Sequence, residues 1–133
     1  MKSKALGNIG VAQELLNKNT GCCANASVHC SYYAVFQYMK FMLANTNNNP
    51  IPYDMQERNA QGKGSHEYVL HEIKCRIKDH RKARSFELRV RDLKNFRVRA
   101  DYGEIVLQQE EGLCCKQNAD ECISKLKQFF GNI

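Results

Sequence analysis

The chain has 133 residues, 43% of them hydrophobic and 26% charged, a length and balance that suit one domain, residues 1–133, with a real core. No apolar run is long enough to span a membrane, and Met1 to Asn8 holds no apolar stretch of signal-peptide length, so a membrane-spanning class is excluded and a cytoplasmic protein is expected. The net charge of +6 is concentrated. Lys74 to Arg99 holds eleven Lys and Arg against three acids, a surplus of +8, while the remainder of the chain is at −2. Such a field favours polyanions, although a solvated helix face is the plainer use of the same charges.

Ser3 to Lys18 is expected as a first helix capped by Ser3, with Ala5, Ile9, Ala12 and Leu16 on one face. Asn19-Thr20-Gly21 stops it. Cys22 to Asn45 is the most apolar segment. Val28, Tyr32, Val35, Phe36, Met39 and Leu43 make its stripe, and Cys30, Tyr33, Gln37 and Phe41 widen it. A helix so apolar on several sides is central to a bundle or shared with a second subunit. Thr46 to Gly64, with Pro50, Pro52 and Gly62-Lys63-Gly64, reads as a long mobile loop.

Ser65 caps a third predicted helix carrying Val69, Ile73 and Ile77. After a break near Asp79-His80, a fourth runs from Ala83 to Ala100 with the stripe Phe86, Val90, Leu93, Arg97 and Ala100. Arg97 is the one charge on that stripe, and a charge facing a core is costly unless it is paired or used. The last helix is placed from an Asn118 cap, with Glu121 at the reciprocal capping position and Ala119, Cys122, Ile123, Leu126, Phe129 and Phe130 on its buried face. The expected fold is all-α, an antiparallel up-and-down bundle of four main helices plus a fifth C-terminal helix.

The seven cysteines are an odd count, and without an export signal they read as thiols rather than a disulfide framework. They contain no Cys-x-x-Cys pair, so they read as small apolar side chains and no metal or cofactor is expected. Tyr33 and its neighbour Tyr32 suit packing, with stacking on a base as the alternative.

Three segments in order resemble the HEPN family of small helical bundles: Ala26 to Phe36, containing Tyr32-Tyr33-Ala34; Ser65-His66-Glu67; and Leu93-x-x-x-Arg97-x-x-Ala100-Asp101-Tyr102 followed by the last helix. The Arg-x-x-Ala-Asp-Tyr pattern is similar to that of one large bacterial branch. The resemblance implies a homodimer with Arg97 in a cleft near the subunit boundary. It further implies a nucleotide- or RNA-binding module, paired with a nucleotidyltransferase in a toxin–antitoxin-like system. Arg97, Arg99, Asp101, Tyr102 and Tyr33 are the expected ligand-binding residues.

Family members that cleave RNA without metal carry a histidine where this chain has Tyr102. None of His29, His66, His71 and His80 follows Arg97. Imidazole suits proton transfer near neutral pH and a phenol does not. Arg97, Asp101 and Tyr102 remain the catalytic candidates of an alternative reading, a metal-independent endoribonuclease toxin. A structural or adaptor bundle is the second alternative.

Overall fold

A computed structural model describes residues 1–62 and 64–133. Among them the chain forms six helices and no strand: α1 (Lys2–Lys18), α2 (Cys23–Asn45), α3 (Tyr53–Ala60), α4 (Ser65–Arg76), α5 (His80–Tyr102) and α6 (Gln109–Phe130). The all-helical bundle agrees with the expectation, but it has one helix more.

α2 touches every other helix, as its apolar breadth predicts. Val28, Tyr32, Val35, Met39 and Leu43 are all buried, within a core shared with Val69 and Ile73 of α4, Phe86, Val90 and Leu93 of α5, and Ala119, Cys122 and Leu126 of α6. Asn19, in the left-handed conformation, ends α1. Asp79 ends the gap before α5 and caps it, its Oδ1 accepting from the backbone N–H of Arg81 at 2.9 Å and of Lys82 at 3.2 Å. The caps expected from Ser3 and Ser65 do not form; Met1 and Gly64 hold those positions, without a side-chain bond.

Two boundaries are corrected. Residues 46–64 are not all loop, because they contain α3 (Lys63 lies outside the described residues). Gln56 anchors that short polar helix: fully buried, it donates from Nε2 to the carbonyls of Ile51 (2.8 Å) and Lys40 (3.0 Å). Arg76 holds the preceding turn through the carbonyls of Asn48 and Asn49.

α6 begins at Gln109, not at Asn118. Its capping box is Gln108 with Glu111. Gly112 sits where α6 crosses α1 and α2; a Cβ there would lie 2.8 Å from Leu16 Cδ2 and 3.3 Å from Ala24 Cβ. This glycine permits close helix packing. It lies within α6 without breaking the helix. Asn118, in mid-helix, instead ties α6 to α5, donating from Nδ2 to the Arg89 carbonyl at 3.1 Å.

Candidate functional site

Arg97 faces inward. On α5 it follows Phe86, Val90 and Leu93 at helical spacing, so the turns that bury those three bury it too, leaving it 8% exposed. Its guanidinium carbon lies 5.1 Å from the Tyr32 ring centre and 5.5 Å from that of Tyr33, within the range in which aromatic faces attract a cation. Its ion pair is with Asp101, one turn on, at 3.6 Å. That separation is too long for a strong hydrogen bond. Among the described residues the Arg97 side chain donates no hydrogen bond, and its Nε is buried without a partner. Leaving that one N–H unmet in a buried place costs free energy.

Asp101 also receives His29 from α2. Nδ1 of His29 lies 2.8 Å from Oδ2 and 3.1 Å from Oδ1. Nδ1–H donating to the carboxylate leaves Nε2 as the ring's free nitrogen. The His29 ring packs 4.7 Å from Tyr33. Asn25, one turn earlier on α2, fixes how the end of α5 is held: its Nδ2 donates to the carbonyls of Ala100 and Ile105, and its Oδ1 accepts from the Leu107 N–H. Burial raises the Cys30 pKa, and the Asp101 charge adds to the effect, so this neighbouring thiol is a poor nucleophile.

On the α4 side, His66 stacks 4.0 Å from Phe36, and its Nδ1 is 2.6 Å from the Tyr32 hydroxyl. Burial drives the Tyr32 pKa upward against the pull of Arg97. Burial, then Lys94, Arg97 and Lys40, pushes His66 down to about 4. A protonated phenol facing a neutral imidazole donates its O–H to Nδ1, so Nε2 carries the ring proton. Glu67, the next residue, accepts both Arg91 (3.0 Å) and Lys94 (3.3 Å). The Arg91 hydrogen bonds, working against burial, hold its carboxyl below the usual range.

The structure thus brings together Arg97, Asp101 and Tyr33 from the sequence-based set, and adds His29, Tyr32 and His66. It separates Arg99 and Tyr102 from them. Arg99 turns to the Phe96 ring and to Glu111 of α6 at 4.0 Å, and Tyr102 is 77% exposed at the end of α5. His29 escaped the sequence reading because it precedes Arg97 in the chain and meets Asp101 only through helix packing. The available signal was that His29 and Tyr33 share one face of α2, four residues apart. No group of three metal-ligating side chains is found among the described residues, and no described helix is long and apolar enough to cross a membrane. Comparison with known proteins returned no matching family model, curated protein or solved structure.

Proposed function

We propose that this protein is a HEPN-type module that binds a nucleotide or RNA through a phosphate at Arg97. It acts as a homodimer and pairs with a nucleotidyltransferase in a toxin–antitoxin-like system. The observation that carries the phosphate reading is the buried Arg97, whose Nε has no partner and whose one counter-charge among the described residues lies 3.6 Å away. A phosphate oxygen accepts such a fork bidentately. Tyr33 and His29 offer aromatic faces beside it. In favour of a homodimer, the exposed Tyr102, Ile105 and Val106 follow directly on the Arg97 turn, an apolar set of the kind that seeks a partner surface.

The test is binding of a fluorescent ATP analogue and of a labelled short oligouridylate to wild type and R97Q, with circular dichroism to verify folding. Loss of one such charged hydrogen-bond set weakens binding by roughly tenfold or more. The reading fails if wild type binds neither probe, or if R97Q binds them as well as wild type does.

One observation favours the ribonuclease alternative: an imidazole stands next to Arg97's carboxylate after all, supplied by α2. Oriented by Asp101, His29 Nε2 is a proton acceptor for a 2′-hydroxyl, with Arg97 neutralising the phosphate. Asp101 would then orient the base instead of serving as one. Metal-free cleavage of RNA by wild type, lost in H29A and R97Q, is the expected result on this reading; an inert wild type ends it.

A further inference from the structure

The seam between α5 and α6 forms an open groove on the outer wall, where Arg81, Lys82, Arg84 and Arg89 of α5 face Asn118 and Lys125 of α6. Arg81, Lys82, Arg84 and Arg89 are exposed, and among the described residues none of them has a carboxylate within ion-pair distance. Arg89 reaches only the Asn118 side chain, at 3.5 Å. The groove's own acids are few. Asp92 lines it without an ion pair among the described residues, and Glu121 lies 3.9 Å from Lys125. Other basic residues of the same stretch are neutralised: Lys74 by Glu87, Arg91 by Glu67 and Glu87, Lys94 by Glu67.

We propose that this α5–α6 groove binds the backbone of a single RNA strand, at a surface separate from the Arg97 site. Arg97 faces the core side of α5, towards α2, while Arg81 and Arg84 lie on the opposite side. Arg81 and Arg89 are about 12 Å apart along the helix axis, so successive cations meet successive phosphates of a strand, a span beyond one mononucleotide phosphate. Three of the four unpaired α5 cations are guanidinium groups, whose planar fork fits phosphate. The Phe129 ring lines the continuation of the groove and offers a face on which a base can stack. The inference rests on the reading of the protein as a nucleotide- or RNA-binding module, and narrows the ligand to a polynucleotide.

The test compares full-length wild type, R81E/R84E/R89E, R81Q/R84Q/R89Q and R97Q. Each is titrated with a fluorescein-labelled oligouridylate of about 12 nucleotides, a length within the usual range of single-strand sites, across a salt series. The three groove positions are exposed on a helix, and circular dichroism of both triple variants verifies the fold. Charge reversal is expected to weaken binding by roughly tenfold or more, and the neutral triple variant to flatten the log–log salt slope by about 2, for three lost phosphate contacts. ATP binding is expected to be unchanged in both triple variants.

Oligouridylate affinity and salt slope that survive the triple substitutions overturn the groove. So does equal wild-type affinity for a poly-glutamate of matching charge, which would make the groove a site for acidic protein. Oligouridylate binding lost in R97Q but kept in the triple variants refutes the groove and leaves Arg97 standing; the reverse pattern, with ATP-analogue binding also kept in R97Q, refutes Arg97 and leaves the groove.

Discussion

The turns of α5 from Arg81 to Arg89 and those from Arg91 to Arg99 each carry four Lys or Arg, yet they differ electrostatically. In the later turns every cation has a carboxylate from a facing helix or its own next turn: Arg91 and Lys94 have Glu67, Arg97 has Asp101, and Arg99 has Glu111. In the earlier turns no such partner is within reach among the described residues. The difference comes from what packs alongside. α4 presents Glu67 and α6 presents Glu111 to the later turns, whereas the middle of α6 presents Asn118 to the earlier ones. A cation's role is therefore set by its neighbours across the helix interface and not by its own segment. One half of α5 is tied into the bundle, and the other projects charge.

The apolar stripe is common to both halves, and cutting it should have the largest effect. Leu93 is fully buried, and L93A is expected to lower stability by about 2–5 kcal/mol in urea unfolding. A loss below about 1 kcal/mol would mean that ion pairs, not the core, hold α5.

The next effect sharpens the paired half. His66 lies in the field of Lys94 and Arg97 and is neutral in the folded chain down to about pH 4, whereas the unfolded chain protonates it near the ordinary histidine value of about 6.5. The folded pKa is the lower one, so the stabilising contribution is complete above about 6.5 and declines as the pH falls toward 4. Urea midpoints should therefore drop between about pH 6.5 and pH 5, above the range where carboxylates protonate. H66Q should flatten that slope; an identical slope in H66Q would place the titration elsewhere.

The smallest effects test the contrast itself. E67Q removes the acceptor of two cations that are partly exposed, and about 0.5–1 kcal/mol of stability should go with it. R84A removes an unpaired, exposed cation and should leave stability within about 0.5 kcal/mol of wild type. Both are measured by the same urea titration. Equal losses in the two would erase the distinction between the halves.

Much of the bundle was legible because burial follows helical period. Every residue of the α2 stripe is buried, as are Phe86, Val90 and Leu93 of α5, while Ala100 is only partly so and the buried Tyr38 and Met42 lie outside the stripe; the Phe86–Val90–Leu93–Arg97 spacing alone turns Arg97 inward. α3 was illegible because eight mostly polar residues carry no stripe; a single buried glutamine, its Nε2 donating to two backbone carbonyls, holds it. The start of α6 was missed because Asn118 and Glu121 have the spacing of a capping box, while the real box is Gln108 with Glu111, and the use of the Gly112 that follows depends on two other helices being close enough to exclude a Cβ.

On its own, the chain of residues determined the helical class, the inward arginine and the concentration of positive charge, since each is a matter of local period or composition. Tertiary structure alone decided which cations were neutralised and which histidines reached the arginine's neighbours. His29 and Asp101 are 72 residues apart, and Coulomb and hydrogen-bond energies depend on separation in space, for which separation along the chain is no guide once helices pack.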